Sequence, residues 1–310
     1  MRSAAARGRD IRAIRRALVV AVAAAVAAIA VAAPARGQQP PEPEFHFAVN
    51  YVYAAQLGFG GYSVGGLNVH LYSLPIGLKF DDVIADWALR LEIPIQYGDY
   101  DFHGTVEDVR VSGTSHTIAI APKAKLEIPV VPRLWRVSLI GGWGFGTSFD
   151  SSARAVQGDE RTPVELDDTS FYTYQAGASS LLQREVGGFT FGLGNSFVYA
   201  GNATLDGDPS VEGYGALSTG VEAKHALGFR VWSLVPDASL FFIHDYFTPS
   251  LQFTRTARSN LEVDNLFEIG VTFGSETPIE VPFLEDLRLG GSYQFGNGLD
   301  AVRLNFGFPF

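Results

Sequence analysis

The segment WALRLEIPIQY, residues 87–97, decides the fold class of this chain. Apolar side chains occupy every odd position from Trp87 to Tyr97, whereas the even positions between them include Arg90, Glu92 and Gln96. An alternation with a period of two predicts a β-strand that has one apolar face and one polar face. The apolar face is about ten residues long, which is the length that a strand tilted near 45° needs to cross a bilayer.

The same alternation recurs along the rest of the chain. It predicts twelve strands, near residues 45–58, 66–79, 86–98, 115–129, 134–147, 170–184, 188–202, 213–226, 230–244, 264–275, 286–296 and 300–310. Long acidic connections, such as 99–114 and 148–169, follow odd strands, and short turns mostly follow even ones. This pattern is typical of an all-β fold, a transmembrane antiparallel up-and-down β-barrel of about 12 strands, with long loops outside and short turns in the periplasm.

Composition excludes several classes of protein. The chain has 310 residues, no cysteine, a formal net charge of −10 and a pI near 5.1, and 47% of its residues are hydrophobic. Such hydrophobicity argues against disorder, and the acidic balance argues against a nucleic-acid partner, which needs a basic surface. Without cysteine there is no disulfide scaffold or thiolate site. We predict no metal site and no cofactor.

The first residues have the pattern of a secretory signal. Residues 1–16 carry six arginines against Asp10, and the apolar stretch Ala17–Ala33 is followed by Ala35 and Gly37. A basic region, a short apolar region and a small-residue exit are typical of a cleaved signal peptide. We expect residues 1–37 to be that peptide, cut after Ala35 or Gly37, with an uncleaved anchor as the alternative. Residues 38–44 would be a short periplasmic lead-in, and 45–310 the barrel domain.

Aromatic residues are expected to mark one membrane interface. Trp87, Trp135 and Trp232 each open an odd predicted strand on the apolar parity, and Phe189 has the same position in its strand. Aromatic rings favour the interface because they combine an apolar body with a polar edge. The four residues are therefore predicted to form an aromatic belt at the inner interface.

The chain ends in VRLNFGFPF, residues 302–310, with apolar side chains at every second position and phenylalanine last. This end resembles the C-terminal assembly signal of Gram-negative outer-membrane β-barrel proteins, carried here by Leu304, Phe306, Phe308 and Phe310. The resemblance implies export through the periplasm to the cell outer membrane and recognition of the last strand by the barrel-assembly machinery. It also implies closure of strand twelve on strand one, in contact with outer-membrane lipid and lipopolysaccharide.

Two kinds of barrel in this family have the predicted shape. They are the small twelve-stranded, porin-like channels and the solitary autotransporter-like barrels that lack a passenger, and the sequence leaves the choice open. A passenger-secreting autotransporter threads a helix through its pore just before the barrel. Residues 38–44 show no helical pattern, so the sequence does not predict that secretion activity.

The polar parity predicts which side chains line the lumen. They are seven cations (Arg90, Lys123, Lys125, Arg136, Lys224, Arg288 and Arg303) and five anions (Glu92, Glu127, Glu222, Asp237 and Glu268). Such a mixed lining fits a narrow polar pore with solute selectivity, and equally a ladder of ion pairs that braces a filled interior. We expect Arg288 and Arg303, on adjacent strands, to form an unpaired basic patch that favours anionic solutes.

These observations support one function with two alternatives. We expect a passive pore or small-solute transporter with a mixed-charge lumen and a small polar solute as ligand. The alternative is a structural or surface-interaction barrel with a plugged lumen, and the third is an outer-membrane lipid hydrolase or protease. The six histidines form no arrangement with serine or paired acids that predicts hydrolysis, so we assign no catalytic residue and expect no enzyme.

Overall fold

A computed structural model describes residues 60–64, 67–106, 109–157, 160–165, 168–205, 211–252, 262–277, 288–306 and 308–310. All of them belong to the compact unit Phe45–Phe310. The predicted signal peptide, the lead-in and the first predicted strand, 45–58, lie outside the described residues. Among the described residues no helix is long and apolar enough to cross a membrane.

The described residues form fourteen β-strands. They are β1 Gly60–Val64, β2 Leu67–Ile84, β3 Trp87–Val106, β4 Val109–Ile120, β5 Lys123–Val131, β6 Trp135–Gln157, β7 Glu160–Glu165, β8 Ser170–Val186, β9 Phe189–Thr204, β10 Val211–Ala226, β11 Pro236–Gln252, β12 Glu262–Ser275, β13 Leu289–Gly296 and β14 Leu299–Asn305.

The fourteen strands make up twelve wall-spanning units, which we call staves: a stave is one strand, or two strand segments that continue each other in one register. β4 and β5 are halves of one stave interrupted at Ala121 and Pro122, because both halves pair with β3 and with β6 in one continuous register. β7 only extends the wall beside β6. Each stave pairs antiparallel with its neighbours in the chain, and β14 pairs antiparallel with β1. The predicted twelve-stranded up-and-down barrel is confirmed.

Turn chemistry explains the tight connections at one end of the barrel, which we call the turn end. Gly187 and Gly188 join β8 to β9 with φ values of +61° and +82°, a conformation that glycine adopts without steric cost. Trp232 lies in a turn closed by the Val231–Leu234 bridge, and β11 begins only at Pro236. The prediction of a strand from residue 230 is therefore wrong, because Pro236 lacks an N–H and suits the first position of a strand.

Strands also run further than predicted at the opposite end, the loop end. β3 continues to Val106, β4 begins at Val109, and β6 continues to Gln157. Much of the predicted connections 99–114 and 148–169 is therefore strand. The acidic side chains Asp99 and Asp101 stand on β3 rather than in a loop. The extended pairs make the barrel wall taller on this side than sequence alternation indicated.

The two faces of the wall differ as the parity predicts. Outward apolar side chains are exposed, with Leu74 at 60%, Leu240 at 54% and Val302 at 68%. Inward side chains such as Asp237 and Glu268 are buried at 1% and 3%. A water-soluble protein has the opposite arrangement, whereas a barrel in lipid exposes its apolar face to hydrocarbon.

A second set of outward aromatic rings lies towards the loop end and includes Tyr72, Tyr97, Tyr172 and Tyr246. On β9, ten residues separate Phe189 from Tyr199. At about 3.3 Å per residue and a tilt near 40°, that distance is about 25 Å along the barrel axis, which matches the apolar band of a membrane barrel. Alternation along the sequence predicts only the belt at the turn end.

Two leucines of equal exposure test this membrane placement. Leu193, on the outer face of β9, is 41% exposed, and Leu227, in the turn after β10, is 42% exposed. Leu193→Arg should lower the free energy of unfolding in lipid vesicles by about 2–4 kcal/mol, because it places a charge near the bilayer midplane. Leu227→Arg, at the membrane edge, should cost about 0–1 kcal/mol. Equal costs in denaturant titrations would contradict the placement.

Candidate functional site

The lumen wall is organised in rows of side chains that the antiparallel register brings together. One row runs Glu92, Lys123, Gly142 and Gln175 across β3, β5, β6 and β8. A second row runs Glu127, Ser138, Ser179 and Ser196 across β5, β6, β8 and β9. Directly opposed residues on neighbouring strands point to the same face, so each row presents its polar groups to the barrel interior.

Ion pairs link the predicted lumen residues of β3, β5 and β6. Lys123 Nζ lies 2.8 Å from Glu92 Oε2. The buried carboxylate of Glu127 lies between two guanidinium groups, with Arg90 Nε at 3.6 Å and Arg136 Nη1 at 3.5 Å. Both acids of this wall are thus already bound to cations of neighbouring strands.

Glu268 is the centre of a second network. Arg303 Nη1 donates to its Oε2 at 2.6 Å, while Ser292 Oγ and Asn305 Nδ2 donate to its Oε1 at 2.6 and 3.1 Å. The side chain is only 3% exposed. Three donors from β13 and β14 therefore satisfy a buried charge and join the last staves of the barrel to β12.

Arg288 forms an ion pair with Asp237, which lies on β11, on the far side of β12. Asp237 is opposite Gly274, and the missing side chain of Gly274 leaves room for the Arg288 guanidinium, whose Nη2 lies 2.5 Å from Asp237 Oδ1. Arg288 Nε also donates to Thr272 Oγ1 at 3.3 Å. The predicted unpaired basic patch of Arg288 and Arg303 is wrong, because each guanidinium has a carboxylate on a nearby strand that parity alone does not identify.

The remaining predicted lumen residues are Lys125, Glu222 and Lys224. Lys125 lies opposite Arg90 and Ile140, and Glu222 and Lys224 lie on β10. Among the described residues, no ion pair within 4.0 Å involves any of the three.

An apolar layer fills the lumen towards the loop end. It consists of Tyr62, Val69, Leu71, Tyr100, Ala200, Tyr214, Ala216, Phe247, Leu251, Val263, Leu266, Leu299 and Ala301, with Val198 packed against it. Ala200, Val263 and Leu266 are 0% exposed. The rule that apolar side chains point outward therefore fails at this level, where the interior is packed and dry.

The end of the chain enters the lumen. We call Phe308–Phe310 the C-terminal tail: Phe308 and Phe310 pack with Leu181, Phe241 and Ile243. Gly194 and Gly220 make this possible, because a Cβ at these positions would lie 2.2 and 2.6 Å from atoms of the Phe310 ring. The ring of Phe310 thus occupies space that two glycines leave open.

This placement corrects the predicted last strand, 300–310, whereas the assembly signal itself stays a prediction. β14 ends at Asn305, with Leu304 within it and Phe306 just beyond it at 41% exposure. Phe308 and Phe310 do not continue the outward apolar face of a strand to residue 310. Burial inside the barrel removes both rings from water, which alternation along the sequence could not reveal.

The predicted aromatic belt is placed unevenly. Trp135 and Phe189 are 40% and 42% exposed where β6 and β9 begin, and Trp135 Nε1 donates to Ser180 Oγ at 2.8 Å. Trp232 is 93% exposed in its turn at the same end. Trp87 departs from this group, since it is only 8% exposed.

Outside the lumen, two acid–histidine pairs stand on the extended strands. Asp99 Oδ1 lies 3.3 Å from His116 Nδ1, which also contacts Tyr97 Oη at 3.0 Å, and Asp101 pairs with His103 at 3.2 Å. No serine or threonine hydroxyl is hydrogen-bonded to these rings within the described ranges. The described part of the chain also holds no group of three potential metal ligands.

Comparison with known proteins places this geometry among membrane barrels. No family model matches the chain, and no curated protein matches its sequence. The translocator domain of the autotransporter NalP from Neisseria meningitidis is similar in structure, with a TM-score of 0.56 and 13% identity over 81% of this chain and 85% of that domain. The β domain of the Bordetella autotransporter Brka has a TM-score of 0.49 and 10% identity, over 80% and 96%. The outer-membrane β-barrel fold that the C-terminal resemblance implied is confirmed.

Two buried glutamates test the Glu268 network. Glu268→Gln should lower the free energy of unfolding by about 3 kcal/mol, because Arg303 loses the charge that compensates it. Glu222→Gln is the matched control, since Glu222 is 8% exposed and has no ion pair in the described part of the wall. We expect that control to cost less than about 1 kcal/mol. Equal losses of unfolding free energy in urea titrations would show that the Glu268 network stabilises the barrel no more than Glu222 does.

Proposed function

We propose that this chain is an outer-membrane barrel for the passage of small polar solutes, and that its lumen is closed at rest by its own apolar side chains. It would reach the outer membrane through the periplasm and the barrel-assembly machinery, and would contact membrane lipid and lipopolysaccharide there. The proposal assigns the protein no catalytic role.

A cavity inside the barrel, with charged and hydroxyl groups among its lining residues, is the observation that carries the proposal. Its volume is about 230 Å³, and Glu92, Lys123, Lys125, Gln175 and Ser179 are among the residues that line it. Ionised and hydroxyl side chains in a membrane barrel are expected on surfaces that meet water or solute.

Two apolar barriers narrow the same lumen. One is the apolar layer, in which the Tyr214 and Phe247 rings lie 5.9 Å apart, and the other is the C-terminal tail. Hydrophobic constrictions exclude water and so block ions even where a narrow passage exists. The two barriers lie at different levels along the strands, so an ion must pass both of them in turn. Removing one barrier alone would therefore raise the ion current only slightly.

The apolar layer also favours a second candidate function. Side chains that are 0% exposed, such as Val263 and Leu266, are packed as in the core of a soluble domain. A permanently filled lumen of this kind suits a structural or surface-interaction barrel. The two candidates differ in one measurable property, which is whether the barriers can be removed to give an ion current.

A double variant separates the candidates. Gly220→Ala should displace Phe310, and Phe247→Ala should remove one ring from the apolar layer. We expect the wild-type protein to give a small conductance in planar lipid bilayers, and the double variant to give a clearly larger one than either single variant. The physical reason is that the two barriers lie in series, so the current stays small until both are removed.

Gly141→Ala is the matched control for the glycine substitution. Gly141 lies on β6, and no atom lies within 4 Å of the position that an added Cβ would take. The conductance of this variant should therefore equal that of the wild type. A double variant that keeps its heat-modifiable folded band but carries no current would favour the plugged structural barrel.

A further inference from the structure

We infer that the lumen cavity is a binding site for a small carboxylate anion. The inference deepens the proposed function and rests on it for access, since the solute reaches the cavity only through the lumen. Three observations on different strands carry it: an excess of positive charge, a lysine without a carboxylate partner, and a facing wall of hydrogen-bond donors.

The excess charge lies on β3, β5 and β6. Arg90, Lys123, Lys125 and Arg136, which we call the cationic wall, are accompanied by only two acids, Glu92 and Glu127. Of these six side chains, Glu92, Lys123 and Lys125 line the cavity, which leaves one positive charge in excess there. The nearby Lys79 adds nothing to this sum, because its Nζ lies 2.9 Å from Asp81 Oδ1.

Lys125 is the group in the cationic wall that lacks an acid. Glu92 is bound to Lys123, and Glu127 is shared by Arg90 and Arg136. Within the described ranges no carboxylate oxygen lies within 4.0 Å of Lys125 Nζ, although Lys125 lines the cavity. The buried Nε of Arg136 has no hydrogen-bond acceptor either. A bound anion would satisfy the lysine, whose charge is costly to enclose without a partner.

The wall across β8 and β9 supplies uncharged donors. Gln175, Ser179 and Ser196 line the cavity, and none of these side chains is hydrogen-bonded to another described residue. Gly142 lies between Lys123 and Gln175 in their row, and a Cβ there would come within 3.0 Å of Gln175 Nε2. Gly142 therefore allows the Gln175 amide to lie close to Lys123, so that both side chains can contact one ligand.

The combination of groups selects the charge and size of the ligand. A cation would be repelled by the excess positive charge, and a neutral solute would leave Lys125 without a described carboxylate within 4.0 Å. The excess positive charge in the lining matches an anion, and amide and hydroxyl donors suit carboxylate oxygens. A cavity of about 230 Å³ admits a compact solute of a few carbons and excludes a large one.

Calorimetric titration of the folded full-length double variant Gly220→Ala/Phe247→Ala in detergent micelles tests the site, because its opened lumen gives the solute access. Succinate is the probe, and ionic strength is held constant. Succinamide is the matched neutral probe, because it has the same carbon skeleton without charge. We expect succinate to bind and succinamide not to bind. Equal heats for the two probes, or no binding of succinate to this opened barrel, would overturn the inference.

Lysine substitutions then locate the site. Lys125→Met should weaken succinate binding about tenfold or more, because it removes the unpaired charge. Lys224→Met is the control, since Lys224 is also an inward lysine without an ion pair among the described residues but does not line the cavity. Equal weakening by both variants would overturn the assignment to Lys125.

Bilayer recordings separate this inference from the proposed function. Succinate binding with no current, even after both apolar barriers are removed, would support the site and defeat the pore. Current without succinate binding would support the pore and defeat the site. The two measurements therefore fail independently.

Discussion

The hydrogen bonds between β1 and β14 are the constraint on which the rest of the structure depends. Gly60–Val64 pairs with Leu299–Arg303, and this pairing turns an open sheet into a cylinder. In hydrocarbon there is no water to satisfy an exposed sheet edge, so a spanning sheet must close on itself. Closure in turn creates an inside and an outside, and every side chain of a stave is committed to one of them.

The inside of this barrel is stabilised in three different ways at three places. Near the cationic wall, acids and bases on adjacent strands pair with each other. Around Gly194 and Gly220, the chain's own C-terminal phenylalanine fills the space that two missing side chains leave. Towards the loop end, the apolar layer excludes solvent as a soluble core does. The polar cavity lies among these packed regions, and its chemistry is the part of the lumen that packing alone does not explain.

Sequence alternation predicted the staves well and the connections poorly. The parity of β3 and β12 placed Glu92 and Glu268 inside and Ile269 outside, because side chains on a strand must alternate. The ends of β3, β4 and β6 were missed because the strands continue to pair where the outward positions become polar. On β3, Asp99 and Asp101 lie on the outward parity, while Tyr100 is buried in the apolar layer. Asn195, which interrupts the outer face, is satisfied by Thr219 Oγ1 at 3.0 Å on the neighbouring strand, a partner that only the register identifies.

The sequence by itself determined that this chain is a twelve-staved barrel with an apolar exterior and charges within it, because a period of two and the need to cross lipid leave one architecture. Only the tertiary structure decided which charges pair, since Arg288 meets Asp237 across Gly274 through register and a missing side chain. It also decided that the final phenylalanines turn inward and that Lys125 has no carboxylate within 4.0 Å among the described residues. Both outcomes depend on contacts between distant strands, and no pattern along a single strand contains that information.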